Sequence, residues 1–158
     1  MPPTLGTLVL GLGNRLLADD AAGPLAIDRL EARGAGTSDI RLRDGGTIGL
    51  ALLPEIEDAQ ALIAIDAAAF GEPPGTVRVF EGADMDAQLG GRKRTAHEVA
   101  LADLISAAMF SGTLPARRAL VAVQPGSTEL ALSPTPAVAA AIDTLCDAVD
   151  GLLERWRP

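Results

Sequence analysis

One histidine and a few aspartates are the residues of this chain best suited to chemistry. His97 opens the stretch HEVAL (97–101), which falls one residue short of the zinc-protease pattern H-E-x-x-H because Leu101 stands in the fifth place. A two-histidine site is excluded, since the chain has no second histidine. A site of one histidine and two carboxylates remains open. Thr95 and Glu98 fit the S/T-x-x-E capping box, which places His97 in the first turn of a helix. The positive end of that helix disfavours imidazolium, and a neutral imidazole is the form a metal takes. Its partners on this reading are Asp20 and Asp66. Each residue has a plainer role when taken singly: His97 as a surface residue at a helix start, Asp20 as an N-cap. Asp66 resists the plain reading best, because it ends the apolar run LIAI (62–65), where a carboxylate is costly to bury without a partner.

Other chemistries fit less well. GLGNRLLADDAAGP (11–24) begins like a nucleotide-binding loop, with Gly11 and Gly13 after an apolar run, but Leu16 stands where the third glycine belongs. Asp19 and Asp20 then occupy the place of the phosphate and would repel it. Asp44 matches the acid expected after a second strand but precedes a double glycine. There is no Walker A loop and no G-x-S-x-G elbow. Cys146 falls beside Leu145 and Val149 on an apolar helix side and reads as a small core residue.

The elements that must position these residues follow from periodicity. TLVLGLG (7–13), ALIAI up to Asp66, and RALVAVQPG (118–126) are short apolar runs typical of buried strands. DIRLRDGG (39–46) alternates as a half-buried strand, and GTVRVFEG (75–82) as an edge strand or hairpin partner. Helices are expected from Ala21 or Pro24 to Arg33, over 49–59 with a break near Pro54, and from Thr95 with Leu101, Leu104, Ile105 and Ala108 on one face. A last helix opens with Thr135 as N-cap and Pro136 in its first turn, and carries the stripe Val138, Ile142, Leu145, Val149, Leu152 and Trp156. Strands alternating with helices predict an α/β fold, a three-layer α/β/α sandwich around a twisted, mostly parallel sheet of about five strands. Ligands of such sheets lie beyond the carboxyl ends of the strands. The residues there are 14–20, Asp44 to Thr47, Asp66, and Gln124-Pro125.

Composition bounds the class. With 158 residues, 48% hydrophobic, the chain suits one domain over 1–158. A net charge of -8 argues against nucleic acid, and GRKR (91–94) reads as a solvated loop. The start of the chain lacks the charged and long apolar regions of a signal peptide, and no apolar run spans a bilayer. One cysteine allows no internal disulfide. The expectation is a cytoplasmic protein without membrane attachment.

Taken together and in order, LVLGLGNRLLADDAAG (8–23), DGGT (44–47), LIAIDA (62–67), HEVALADLI (97–105) and VAVQP (121–125) resemble the nickel-iron hydrogenase maturation endopeptidases. The resemblance covers almost the whole chain, and the combination G-x-G-N-x-L-x-x-D-[DE], D-G-G-T and a lone histidine is specific where each piece alone is weak. Ala21 departs from the family, in which many members carry glycine. The resemblance implies an endopeptidase that removes a C-terminal extension from the hydrogenase large-subunit precursor after nickel insertion. It implies nickel carried by that substrate, with zinc or another divalent ion as a surrogate, and metal ligands at Asp20, Asp66 and His97. Asp44 is a functional position as well. The catalytic candidates are therefore Asp20, Asp44, Asp66 and His97. On this picture the metal docks the precursor and polarises the scissile carbonyl or activates a water, Asp44 acts as base or orients the water, and the Gly45-Gly46 amides approach the substrate backbone. The partner is the large-subunit precursor, and the expected free state is a monomer. The alternatives are a non-catalytic metal-dependent hydrogenase maturation chaperone and, further off, a nucleotide-binding α/β enzyme.

Overall fold

A computed structural model describes the backbone of residues 5–91 and 96–158, and the side chains of residues 6–90 and 101–158. Five strands form one sheet: β1 (Leu5–Leu12), β2 (Ile40–Gly46), β3 (Ala59–Ala67), β4 (Val77–Glu81) and β5 (Arg117–Val123). Their order is β2-β1-β3-β5-β4, and only β4 runs antiparallel, as the edge strand beside β5. The helices are α1 (Ala22–Ala32), α2 (Leu53–Glu57), α3 (Ala83–Gly91), α4 (Ala96–Phe110), α5 (Pro136–Ala139) and α6 (Ile142–Arg155).

The three layers follow from strand parity. Residues opposite one another in a parallel ladder share a face, and successive residues alternate. Val9, Ile63, Ile65, Val121 and Val123 point to one face, where Ala26, Ile27 and Leu30 of α1 and Leu145, Val149 and Leu152 of α6 cover them. Leu8, Leu10, Leu62, Ala64, Leu120 and Ala122 point to the other, beneath Ile56, Met85, Leu101, Leu104 and Ala108. The strands are apolar on both sides because both sides are buried. The stripes expected on α4 and α6 are buried as read, apart from Trp156, which is half-buried.

Several local expectations change. Pro54 does not break its helix but sits in the first turn of α2, after a 3-10 turn at Gly49–Leu52. The final helix is two helices, α5 and α6. Helix α3 leaves no periodic signal in the sequence: it buries Met85 and Leu89, a pair four apart, too short for period counting. Thr95 and the 92–94 part of GRKR lie outside the described residues. Among the described residues no helix is long and apolar enough to cross a membrane.

Candidate functional site

The turn after β1 explains the opening glycines. A Cβ on Gly11 would lie 2.5 Å from Gly23 O, and one on Gly23 would lie 2.2 Å from Leu12 O and 2.6 Å from Ile65 O. The two glycines let the start of α1 press directly onto β1 and β3. Gly13 then turns at φ 135, with Asp20 O where a Cβ would be. The chain folds back so tightly that the Asn14 N–H, an amide a phosphate would need, donates to Asp20 Oδ2 at 2.9 Å. This is a carboxylate turn rather than an anion cradle.

Asp20 lies in a 3-10 turn, Ala18–Ala21, just before α1. It is not the N-cap of α1, since Ala21 holds that place without a side-chain cap. It is 2% exposed, and Asp66, the next-to-last residue of β3, is 1% exposed. Neither carboxylate is without a partner. The sheet order reverses between β1, which leads to β2 on one side, and β3, which leads toward β5 on the other. Asp20 follows the first of these strands and Asp66 ends the second, so both sit at the topological switch point where open α/β sheets bind ligands.

Parity also fixes which way Asp66 faces. It pairs with Ala122, a residue of the face covered by α4. The carboxyl end of α4 is pinned near the amino edge of the sheet, where Thr113 Oγ1 donates to Glu57 Oε2 at 3.0 Å, two residues before β3 begins. Fifteen residues of helix reach back about 22 Å toward the carboxyl edge. That direction carries the first turn of α4, which contains His97, toward the carboxyl edge of the sheet. The His97 side chain is outside the described residues, and among those residues no group of three His, Cys, Asp or Glu side chains is assembled for a metal.

Asp44 is placed differently. It pairs with Gly11, which faces α1, and so points to the face opposite Asp66. Two strand spacings, about 10 Å, separate β2 from β3. Asp44 Oδ2 accepts from Arg15 at 2.8 Å, and Arg15 also forks onto Asp28 at 2.7 and 2.9 Å. The Gly46 N–H donates to Asp44 Oδ1 at 2.9 Å, and a Cβ on Gly45 would press on Leu10, Leu12 and Leu52. The Gly46 amide is thus committed within the chain instead of offered to a substrate backbone.

Two residues gain roles that spacing did not show. Asp19 is fully buried, and its oxygens accept from the Gly126, Ser127 and Thr135 amides at 2.7, 3.0 and 2.6 Å and from Thr135 Oγ1. Burial alone would raise its carboxyl, but these bonds hold it below the ordinary range. Thr135 is the N-cap of α5 by position, yet its hydroxyl serves Asp19, not the helix. Gln124 Oε1 accepts from Phe70 N at 2.8 Å and ties the end of β5 to the segment after β3. The partners of Asp19 and Gln124 lie more than fifty residues away in sequence, so no local pattern announces them. Cys146 is buried, with its thiol 3.5 Å from Ala26 O, and burial pushes that thiol up to about 11.

A site of buried acids at the switch point is compatible with metal binding, with hydrolysis or with both, and comparison with known proteins narrows the choice. The profile of a family described as hydrogenase maturation protease matches residues 24–151. The chain is 42% identical over 137 residues to the hydrogenase expression/formation protein HupD of Rhodobacter capsulatus, a match that covers 86% of this chain and 65% of that protein. It thus spans just under two thirds of that relative's length. It is 36% identical over 143 residues to the hydrogenase 2 maturation protease of Escherichia coli, covering 90% of this chain and 87% of that one. The structure of the hydrogenase maturating endopeptidase HybD from E. coli superposes with a TM-score of 0.88 at 33% identity, covering 96% and 93% of the two chains. With the α/β/α layers, the switch-point acids and these similarities in agreement, the chain belongs to the hydrogenase maturation protease family.

Proposed function

We propose that the chain is an endopeptidase that removes the C-terminal extension of a nickel-iron hydrogenase large-subunit precursor after nickel insertion. The observation that carries this reading is the burial of two carboxylates, Asp20 after β1 and Asp66 near the end of β3, on the two strands that flank the switch point of the sheet. Family membership and the similarity to a maturation protease and a maturating endopeptidase of E. coli support it. The donor chemistry fits the substrate's nickel: two carboxylates and, in the first turn of α4, an imidazole.

Nickel is cargo of the substrate on this reading, and it marks the precursor as loaded. Asp20, Asp66 and His97 hold it and so dock the precursor; bound there, it supplies Lewis acidity near the scissile peptide. Asp20 is steadied for this by the Asn14 N–H. Asp44 is engaged by Arg15 on the α1 side, which suits it to orient the bound chain at the rim more than to take a proton at the reacting carbonyl.

The test incubates the purified protein with nickel-loaded and nickel-free precursor and reads product mass, with His97→Ala in parallel. Cleavage of the loaded precursor alone, lost in the variant, is the expected result. Binding without cleavage would replace the protease reading with that of a maturation chaperone.

A further inference from the structure

Two adjacent carboxylates occupy the turn after β1, and they face different ways. Asp20 takes the Asn14 amide, whereas the Asp19 carboxylate bonds to the loop between β5 and α5. Its Oδ2 gathers the Gly126 and Ser127 amides at the start of that loop, and its Oδ1 gathers the Thr135 amide at the end. One buried side chain therefore closes both ends of the loop. The main chain repeats the connection: Asp19 N donates to Ser127 O, Ala18 N to Ala131 O, and Ala131 N to Leu16 O.

The turn itself is strained. Ala18 has φ 48, the left-handed region that non-glycine residues rarely enter. Such a conformation persists only where surrounding bonds over-determine it, and the bonds from Ala18 and Asp19 to the loop do so. The peptide held in this way is the one that carries Asp20. The loop on the other side of the clamp presents Leu130 and Leu132, 81% and 85% exposed, beside the exposed Leu16.

We propose that Asp19 is a positioning residue for the endopeptidase reaction: it locks the turn bearing Asp20 to the loop Gly126–Thr135, so that the metal-docking carboxylate and the loop beside it meet the precursor as one rigid unit. This rests on the function proposed above. The donor set explains why an aspartate is required. Three backbone amides and a hydroxyl all donate to it, so an asparagine of the same shape would turn an NH2 group against at least one amide.

The experiment compares Asp19→Asn, Thr135→Val, which keeps the amide but loses the hydroxyl, and Thr135→Ser, which restores it. All are assayed well below their melting temperatures. Three quantities are read: Ni2+ affinity of the free protein by calorimetry, amide hydrogen exchange at Gly126, Ser127 and Ala131, and kcat and KM on nickel-loaded precursor. Asp19→Asn is expected to speed exchange at these amides, weaken Ni2+ binding and lower kcat/KM about 10- to 100-fold, chiefly through KM. Thr135→Val should do the same more weakly, and Thr135→Ser should match the parent protein. A lower melting temperature with Ni2+ affinity, exchange and KM unchanged would overturn the proposal. If the parent protein fails to cleave, the protease reading fails, and Ni2+ affinity with exchange still decides the role of Asp19.

Discussion

Asp19, Asp20 and Asp66 are nearly inaccessible, and each answers the cost of burying a carboxylate in its own way. Asp19 is satisfied by backbone amides and one hydroxyl, and its charge is spent inside the fold. Asp20 takes the Asn14 amide, and on the proposed reading it and Asp66 are the carboxylates that meet the substrate's metal. Asp20→Asn and Asp66→Asn are therefore each expected to abolish processing of the loaded precursor while leaving the far-ultraviolet circular dichroism spectrum unchanged; full activity in either would remove that residue from the site. Cys146 offers a test of burial through pH. Burial raises its thiol from 9.0 to about 11, against the lowering pull of Arg33 and Arg29. The folded state thus keeps a proton that the unfolded state gives up. The stabilisation is complete below pH 9.0 and is lost as pH rises toward about 11. The chain has no tyrosine and a single lysine, Lys93, so little else titrates in this window. Cys146→Ala should flatten the fall in urea-unfolding stability between these pH values.

At the scale of elements, the contact between α1 and the sheet decides where the site can be. Gly23 lies in the first turn of α1, where helix propensity alone favours alanine by roughly 1 kcal/mol. The methyl would meet backbone carbonyls at 2.2 and 2.6 Å, atoms that cannot rotate away. The clash wins. Gly23→Ala should destabilise the protein by about 1–3 kcal/mol in equilibrium denaturation, and it should also impair processing, because α1 can retreat only by moving the Asp20 turn with it. A neutral or stabilising effect would mean that the helix is free to shift. The loop after β5 shows a second use of an element boundary: Thr135 starts α5 yet faces the β1 turn, coupling two chain crossings at the carboxyl edge.

For the molecule as a whole, one sheet serves two apolar layers. Leu104 is buried on the α4 face and Leu145 on the α6 face, with the sheet between them. Leu104→Ala and Leu145→Ala should each cost about 2–5 kcal/mol. Because they share no neighbours, their effects should add within about 0.5 kcal/mol in the double variant. Unfolding followed by fluorescence of Trp156, which packs with the α6 layer, should coincide with that followed by circular dichroism. Separate transitions would show that the two layers unfold independently.

The sequence determined this protein's layers and most of its strands, since burial on both faces leaves continuous apolar runs and helices leave stripes of period 3.6. It also marked Asp66, because a carboxylate at the end of LIAI has no cheap place in an apolar run. It pointed to Asp20 through a loop that starts like a phosphate cradle and ends in acids. What only the tertiary structure decided is how the two acids of that loop divide their work, that Asp44 turns to α1 under Arg15, and that Thr135 caps a carboxylate instead of a helix. These depend on partners brought close by strand order and by the crossing of loops. A side chain's type and its local period carry no information about which distant amide it will meet, so these choices are made only when the sheet closes.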